Sequence, residues 1–337
     1  MGEKITYAIE AQKLSKVFGG GIKAVNGISF NVEEGEIFGF LGPNGAGKTT
    51  TIRMIITLTK PNSGSISVFG VDAVRNPSEV RRMLGYVPQA VSVDGDLTAY
   101  ENLLIFSKLF HVEHGIRKKR ISDALEYMGL SERANDLVKH FSGGMMRRLE
   151  IAQSLVNRPK ILFLDEPSIG LDPISKRQGW NYVKNLNKEF GVTIFITTHD
   201  MLEADELCNR IAIMNRGNIA VMGPPRELKA SIGGDLIIVK LSSPASNIIL
   251  PRELGSIVNN DQSELRIQTD VAAETALPRV MEFFSRSGLV VDSISISKPN
   301  LDDVFTKYTK SSLLEDQETG MYSEARVARR SFQRHSG

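Results

Sequence analysis

Short apolar runs alternate with helical stretches along this chain, and a glycine, an acidic residue or a histidine follows three of them. These three runs are Ile37–Leu41, Ile161–Leu164 and Val192–Ile196. Continuous apolar runs of this length are typical of strands that are buried on both faces, as in a parallel sheet covered by helices. Residues that follow such strands lie at the carboxyl edge of the sheet, where open α/β sheets bind ligands. The pattern therefore predicts an α/β core with its functional residues at that edge.

The segments around this core have other patterns. Residues 7–34 alternate in short stretches around the turn Gly19–Gly21, which predicts an antiparallel, β-rich segment. Between Gly85 and Gly144 the periodicity is helical, and we interpret this region as a helical insertion between strands. The basic run Arg117–Arg120 inside it favours a solvated helix face over a patch for an acidic partner.

A smaller α/β domain is expected to follow the first one. The predicted strands and helix of this domain cover residues 236–241, 265–268, 290–296 and 281–284. A last helix is expected to begin near Asn300, a good N-cap residue, with the acidic Asp303 in its first turn. The later residues are polar, which is typical of disorder. We therefore expect domains at residues 1–232 and 233–311 and a disordered tail at residues 312–337.

Composition and charge narrow the class of protein. The 337 residues include 41 Lys and Arg against 39 Asp and Glu, so the chain lacks the strongly basic footprint of sequence-independent nucleic-acid binding. The single cysteine, Cys208, excludes an internal disulfide and fits a reducing compartment. The first residues lack the apolar core of a secretory signal, and no run reaches the roughly 18 to 20 apolar residues that span a bilayer. We expect neither a channel nor a partner made of nucleic acid.

One glycine-rich turn has the spacing of a phosphate-binding loop. Residues 42–49 fit G-x-x-x-x-G-K-[ST], between a predicted strand and a predicted helix, and these flanking elements disfavour an accidental turn. Backbone N–H groups can surround a β-phosphate there, and the helix N-terminus adds partial positive charge. Lys48 is expected to reach the β- and γ-phosphates, and the Thr49 hydroxyl is expected to bind Mg²⁺. The predicted nucleotide-binding residues of this turn are Gly42, Pro43, Asn44, Gly45, Ala46, Gly47, Lys48, Thr49 and Thr50.

Two further groups of residues indicate the same chemistry. Asp165 and Glu166 follow a predicted buried strand, where carboxylates are costly unless they meet a cation or accept a proton. Asp165 is suited to bind the metal ion through a water molecule, and Glu166 is suited to polarise the attacking water. Residues 142–144, Ser-Gly-Gly, precede a helical pattern and form a candidate second anion site, with an ordinary loop and helix cap as the alternative.

Together these motifs resemble the nucleotide-binding subunit of an ABC transporter. The elements that carry the resemblance are, in chain order, Gly42–Thr49, Gln89, Ser142–Gly144, Asp165–Glu166 and His199. The resemblance covers about residues 5–232 and implies an α/β P-loop NTPase of ABC type. Such a fold has a mixed sheet core, an antiparallel β subdomain and a helical subdomain, here with the small C-terminal α/β domain added.

The resemblance implies roles for individual residues. Gln89 is expected to sense Mg²⁺ and the attacking water, and His199 to hold the γ-phosphate, with a satisfied core histidine as the alternative for His199. Residues 142–145 match the signature motif, which contacts the γ-phosphate bound by the other subunit, and Leu171–Asp172 resembles the loop that lies across the dimer. Phe18 resembles the aromatic residue that stacks on adenine, a position more often Tyr. The implied catalytic residues are Lys48, Gln89, Glu166 and His199, the metal ligands Thr49, Gln89 and Asp165, and the further nucleotide contacts Phe18, Ser142, Gly143, Gly144 and Met145.

Two features favour an export subfamily. The signature reads Phe-Ser-Gly-Gly-Met where Leu-Ser-Gly-Gly-Gln is commonest, and the methionine form is more typical of drug-resistance and ABC-2-type exporters. Residues 297–305 resemble the C-terminal domain of daunorubicin-resistance-type ATPases, over about residues 234–310. The resemblance thus implies an ATPase subunit that uses ATP and Mg²⁺ to energise export of a drug, lipid or other hydrophobic cargo through a separate transmembrane permease. It also implies pairing with a second ATPase subunit at the cytoplasmic face of the cell membrane, as a peripheral protein.

Two other classes of protein stay open at this point. A soluble ABC-type ATPase that acts on ribosomes, nucleic acid or iron–sulfur assembly is disfavoured by the single P-loop, the lack of a heptad array and the single cysteine. A regulatory module that holds ATP without hydrolysing it is disfavoured by the intact Glu166 and His199.

Overall fold

A computed structural model describes residues 6–242, 248, 250–261, 264–269 and 271–309. The chain divides into two compact units, Met1–Pro224 and Pro225–Gly337. This division precedes the expected boundary at residue 232 by one short helix, and the expected tail at residues 312–337 lies outside the described residues. In the part of the chain that is described, no helix is both long and apolar enough to span a membrane.

The first unit contains two sheets and a set of helices. Its strands are β1 (Tyr7–Val17), β2 (Lys23–Glu33), β3 (Ile37–Leu41), β4 (Ser63–Val68), β5 (Val71–Asp72), β6 (Leu84–Val87), β7 (Ile161–Asp165), β8 (Thr193–Thr198), β9 (Arg210–Asn215) and β10 (Asn218–Gly223). Its helices are α1 (Lys48–Ile55), α2 (Pro77–Met83), α3 (Ala99–Leu109), α4 (His114–Tyr127), α5 (Gly143–Leu155), α6 (Pro173–Phe190) and α7 (Met201–Leu207). Short 3₁₀ turns occur at Gly19–Gly21, Ser131–Arg133 and Val138–His140.

The central sheet has the strand order β10-β9-β3-β8-β7-β6. The five strands from β9 to β6 are parallel, and β10 is antiparallel to β9, so the sheet is mixed as predicted. Every residue of β3, β7 and β8 is buried, because helices or the second sheet cover both faces. The three apolar runs of the sequence are therefore the three adjacent central strands, in the order β3, β8, β7.

The second sheet of this unit is antiparallel, in the order β2-β1-β4-β5, and confirms the β-rich segment predicted before β3. Its inner face shares one hydrophobic core with the central sheet. Phe30 of β2 packs against three aromatic rings of the central strands, with centroid distances of 4.9 to 6.3 Å, in the order of Phe40, Phe38 and Phe195. Burial of such rings, worth about 1.5 to 3 kcal/mol each, fixes the two sheets against each other.

The predicted helical insertion is confirmed as α3 and α4, which pack on α5. The α3 helix begins with a capping box, in which the Thr98 side chain accepts from the Glu101 N–H and the Glu101 carboxylate accepts from the Thr98 N–H. The basic run at Arg117–Arg120 lies on α4, and Lys119 pairs with Asp123 one turn later. Lys118 and Lys119 lie on a solvated helix face, as expected, whereas the half-buried Arg117 and Arg120 donate to the carbonyl oxygens of Val112 and Val156.

The second unit is a small α/β domain. Its elements are α8 (Pro225–Ala230), β11 (Leu236–Leu241), a 3₁₀ turn at Arg252–Leu254, β12 (Ser256–Asp261), β13 (Glu264–Gln268), α9 (Ala273–Arg286), β14 (Val291–Ser297) and a last helix α10 over residues 301–309. The antiparallel sheet, in the order β12-β13-β11-β14, packs its apolar face on α9, where Val280 and Phe284 are buried. The expected cap of α10 is confirmed, since Asn300 and Asp303 exchange hydrogen bonds between side chain and backbone N–H at 3.0 Å.

Candidate active site

The glycine-rich turn runs from the end of β3 directly into α1. At Gly47, φ is +107°, and a Cβ atom would lie 2.3 Å from the carbonyl oxygen of Ala24. At Gly42, φ is +152°, and a Cβ atom would lie 2.4 Å from the carbonyl oxygen of Met214. Only glycine satisfies both demands. The α1 helix has no side-chain cap at Gly47, so its first N–H groups are available to an anion.

Lys48 is the first residue of α1 and is only 6 % exposed. Its Nζ donates to the carbonyl oxygens of Gly42 at 2.6 Å and Pro43 at 3.3 Å, and lies 3.2 Å from the Glu166 Oε1. A buried ammonium group needs such partners, because an unpaired charge away from water is costly. The loop backbone and the Glu166 carboxylate therefore hold the Lys48 ammonium group at the bend of the loop.

Asp165 is the last residue of β7, and its buried carboxylate accepts hydrogen bonds from neighbouring hydroxyl groups. Its Oδ1 accepts from the Thr49 hydroxyl at 3.3 Å and from the Thr197 hydroxyl. Burial, together with the charge of Asp165, raises the pKa of Tyr86 to about 12, so that phenol keeps its proton. Two predicted metal ligands, Thr49 and Asp165, are thus side by side with the hard oxygen atoms that Mg²⁺ takes.

Glu166 lies between two basic side chains. Its Oε1 pairs with Lys48, and its Oε2 lies 2.7 Å from the Nδ1 of His199, which follows β8. The Glu166 backbone is in the left-handed region, with φ of +52°, and its N–H donates to the carbonyl oxygen of Thr197 at 3.0 Å. A non-glycine residue in this conformation costs about 1 to 3 kcal/mol and is held by its surroundings, often at functional sites. The structure therefore brings Lys48, Glu166 and His199 together.

Gln89 follows β6, the strand beside β7, and its side chain is exposed. It therefore lies at the same edge of the sheet as Asp165, at the end of a neighbouring strand. Among the described residues, no hydrogen bond joins its side chain to the Lys48, Glu166 and His199 group.

The Ser142–Met145 turn forms the start of α5. The Ser142 side chain accepts from the Met145 N–H at 3.2 Å as an N-cap. A Cβ atom on Gly144 would lie 2.8 Å from the Ser175 hydroxyl oxygen, so this turn packs closely on α6. In the parts of the chain that are described, no hydrogen bond or ion pair connects Ser142, Gly143 or Gly144 with the turn before α1.

Asp172, in the loop after Glu166, is the N-cap of α6. Its Oδ1 accepts from the N–H groups of Ile174 and Ser175, each at 3.0 Å. Hydrogen bonds from the Ser175 hydroxyl and N–H hold the pKa of Asp172 below its usual range. A Cβ atom on Gly143 would lie 3.5 Å from Leu171, so this loop and the Ser142–Met145 turn are neighbours within one chain.

Phe18 lies in the turn between β1 and β2, with its ring 47 % exposed. The Lys16 Nζ lies 5.4 Å from the ring centroid. The exposed ring face is available for stacking, and β2, which follows, places Ala24 against Gly47 of the loop. Phe18 is therefore connected to the glycine-rich turn through β2.

Sequence reasoning missed a buried ion pair on α5. The Arg147 guanidinium contacts the Glu150 carboxylate at 2.9 Å, and Glu150 accepts from the N–H and hydroxyl of Ser92, just after Gln89. The guanidinium also donates to four carbonyl oxygens, those of Pro88, Asp165, Glu166 and Pro167. Arg147 thus ties the helix of the Ser142 turn to two of the site loops. The only signal in the sequence is an arginine five residues after Ser142, which by itself indicates no partner.

Two family models match the chain. The one described as "ABC transporter" matches residues 25–169, and the one described as "ATP-binding protein DrrA1-3-like, C-terminal domain" matches residues 223–309. The chain is 38 % identical over 313 residues to the daunorubicin/doxorubicin resistance ATP-binding protein DrrA of Streptomyces peucetius, a match that covers 92 % of this chain and 94 % of that one. The chain belongs to the ABC transporter family of ATP-binding proteins. As an ABC-type subunit, it binds ATP and is an ATPase.

A second relative has similar coverage. The linearmycin resistance ATP-binding protein LnrL of Bacillus subtilis (strain 168) is 37 % identical over 306 residues, or 89 % of this chain and 98 % of the relative. Among solved structures, the dimeric post-hydrolysis state of the ATP-binding cassette MJ0796 bound to ADP and Pi is 28 % identical, with a TM-score of 0.57. That match covers 64 % of this chain and 98 % of the cassette. These matches confirm the ABC-type P-loop fold predicted from the sequence.

Proposed function

We propose that this ABC subunit hydrolyses ATP at the Lys48, Glu166 and His199 site to energise the export of a hydrophobic compound through a separate membrane permease. The observation that carries the proposal is the position of the Glu166 carboxylate, 3.2 Å from the Lys48 Nζ and 2.7 Å from the His199 Nδ1. One buried carboxylate thus lies between a phosphate-binding cation and an imidazole, at the edge of the sheet where the phosphate loop opens.

The turn before α1 binds the phosphates in this proposal. The free N–H groups at the start of α1 surround the β-phosphate, and Lys48 reaches the β- and γ-phosphates. Phosphate oxygens then replace Glu166 as the partner of Lys48, which releases the carboxylate toward the γ-phosphate. Phe18 stacks on the adenine ring.

Mg²⁺ fits the oxygen atoms at this site. The Thr49 hydroxyl and the Asp165 carboxylate are 3.3 Å apart, and both are ligand types that Mg²⁺ prefers. Within the described residues, no cluster of three or more His, Cys, Asp or Glu side chains could hold a metal by itself, and this suits an ion that takes phosphate oxygens and waters as well. Thr49, Asp165 through water, and Gln89 would hold the ion. The ion would neutralise charge on the phosphate oxygens there.

Glu166 accepts a proton from the attacking water in this proposal. The water oxygen forms a bond to the γ-phosphorus while the bond to the bridging oxygen of ADP breaks, leaving ADP and inorganic phosphate. His199 holds the γ-phosphate and keeps the Glu166 carboxylate oriented. The left-handed backbone of Glu166, tied to Thr197, fixes the direction from which the carboxylate approaches.

The Ser142 turn completes the site of a second subunit. Its serine and glycines offer an anion site at the start of α5, and no hydrogen bond or ion pair joins it to Lys48 within the described part of one chain. The MJ0796 cassette is dimeric in its post-hydrolysis state, and this supports a head-to-tail pair in which each Ser142 turn contacts the γ-phosphate on the other chain. We take the pair to be a homodimer, with Leu171–Asp172 lying between the two sites.

The names of the relatives support export and a permease partner. The relatives are called resistance ATP-binding proteins for daunorubicin, doxorubicin and linearmycin. We infer a drug, a lipid or another hydrophobic compound as the cargo, and a peripheral position at the cytoplasmic face of the cell membrane.

Affinity purification from detergent-solubilised membranes tests this proposal. The tagged chain should carry with it a multispan membrane protein, identified by mass spectrometry, and the complex should hydrolyse ATP. The Glu166→Gln variant is the matched control, because it should recover the same membrane protein without turnover. Recovery of ribosomal proteins without any membrane protein would instead favour the soluble class of ABC ATPase.

A further inference from the structure

The buried carboxylate of Glu203 lies outside the Lys48, Glu166 and His199 group and has no part in the mechanism above. Glu203 is on α7, four residues after His199, and is 1 % exposed. It accepts hydrogen bonds from the Ser168 hydroxyl and from the Trp180 indole N–H, the latter at 2.9 Å. Among the described residues, no Lys or Arg side chain forms an ion pair with it.

A buried carboxylate without a cationic partner is an energetically costly group. Burial raises the pKa of Glu203, and hydrogen bonding opposes that rise only in part. An apolar residue of the same size would fill this space without the cost of desolvation. Packing alone therefore does not explain why a carboxylate occupies this buried position.

Glu203 and its two donors lie on the segments that carry the active-site groups. Ser168 lies two residues after Glu166, in the loop that leads to Asp172. Glu203 itself is on α7, whose N-cap, Asp200, directly follows His199. Trp180 is on α6, whose N-cap is Asp172, and its indole nitrogen lies 3.2 Å from the Ser168 hydroxyl.

We propose that Glu203 is a positioning residue for ATP hydrolysis, which joins the loop after Glu166 to the segment that carries His199 so that both move as one unit. The inference rests on the roles of Glu166 and His199 proposed above. It extends those roles, because Glu203 would keep the distance between the Glu166 carboxylate and the His199 imidazole constant without contacting either group. A misplacement of about 1 Å at such groups can cost on the order of 10²-fold in rate.

Three variants separate this role from general stabilisation. Glu203→Leu removes all acceptors, and the turnover number should fall on the order of ten- to 100-fold, while the Kd for a fluorescent ATP analogue stays within about twofold because the turn before α1 is untouched. Glu203→Gln keeps the size and one carbonyl acceptor for Ser168 and Trp180, and should recover turnover to within about threefold of the parent. Glu206→Leu, an exposed change on the same helix, is the matched control and should hydrolyse ATP at the parental rate.

Trp180→Phe gives an independent test, because it removes one donor and keeps the aromatic packing. This variant should lower turnover by about three- to tenfold in the parent, and should lower it no further in the Glu203→Leu background. All rates are measured on the full chain with its membrane partner and are normalised to the amount of bound nucleotide, so that unfolded protein does not count.

The proposal is overturned if Glu203→Leu hydrolyses ATP at the parental rate, or if turnover and nucleotide affinity fall together with no recovery in Glu203→Gln. If Glu203→Leu yields no folded protein, a parental rate for Trp180→Phe overturns it instead. A parent complex without any ATP turnover would contradict the proposed function itself, and this outcome is distinct from an active parent with an equally active Glu203→Leu variant.

Discussion

The two glycine-containing turns that begin α1 and α5 differ in their surroundings. In the first, Gly42, Gly47 and Lys48 are buried, and the lysine already contacts a carboxylate. In the second, Ser142 and Gly143 are exposed, and the serine side chain caps its own helix. A helix N-terminus therefore supplies only part of a phosphate site, and the charged side chains around it determine whether a reaction takes place.

The largest expected effect comes from Glu166→Gln, which tests whether the chemistry takes place at the first turn. Gln keeps the size of the side chain but cannot accept a proton from water, so turnover should fall by about 10²- to 10⁴-fold while ATP still binds. An ATP-bound dimer should accumulate, visible by size-exclusion chromatography with Mg-ATP. Glu189→Gln, at an exposed position of α6, is the control. Parental turnover in Glu166→Gln would mean that another group activates the water.

Lys48→Ala removes the cation from the first turn and should weaken ATP binding as well as turnover. Removal of a preorganised group that stabilises charge in the transition state lowers the rate by about 10²- to 10³-fold. The β- and γ-phosphates of ATP also each lose a contact. Fluorescent-ATP titration and phosphate release measure the two effects. Lys118→Ala, on the exposed side of α4, should change neither. Unchanged turnover in Lys48→Ala would mean that the phosphate site lies elsewhere in the protein.

Mixing two inactive variants tests whether the second turn completes the site of another chain. Ser142→Arg protein and Lys48→Ala protein should each be inactive, but a mixed pair has one site with both turns intact. Random pairing then restores up to about one quarter of the parental sites. Recovery is measured as ATPase activity against each variant alone. If mixed pairs form, as a tag exchange assay would detect, and no activity returns, the sites are not shared.

The smallest expected effect distinguishes two adjacent glycines of the second turn. A Cβ atom on Gly144 would lie 2.8 Å from the Ser175 hydroxyl oxygen, whereas one on Gly143 would lie 3.5 Å from Leu171. Gly144→Ala should therefore destabilise the protein by about 1 kcal/mol through overpacking, and Gly143→Ala should be neutral or slightly stabilising. Thermal unfolding of the two variants measures the difference. Equal melting temperatures would mean that α6 adjusts freely to the turn.

Much of the fold follows from local patterns in the sequence. The run Leu236–Leu241 is β11 residue for residue, and the run Ile161–Leu164 is β7 apart from Asp165. The polar strand β12 was missed, because Asn259, Asn260 and Asp261 disfavour strands and only pairing with β13 along one edge makes them extended. Local propensity predicts an element well where the apolar pattern and the tertiary structure agree.

The site could be predicted where a motif has its own spacing or where polar residues follow a buried strand. The turn before α1 has such spacing, and the Lys48 position follows from it. Arg147 and Glu203 have no such signal, because their partners come from loops that are distant in the sequence. Contacts of this kind depend on which strands are neighbours, and a single sequence does not give strand order.

The ion pair between Lys48 and Glu166 has a consequence for how the protein is made. A buried ammonium group without a counter-ion would oppose folding of the loop, because burial of an unpaired charge is costly. With Glu166 at 3.2 Å, the loop is electrically balanced before any ligand arrives. Charge balance within the loop therefore does not depend on a ligand, and in the proposed function a phosphate that binds Lys48 exchanges one anion for another.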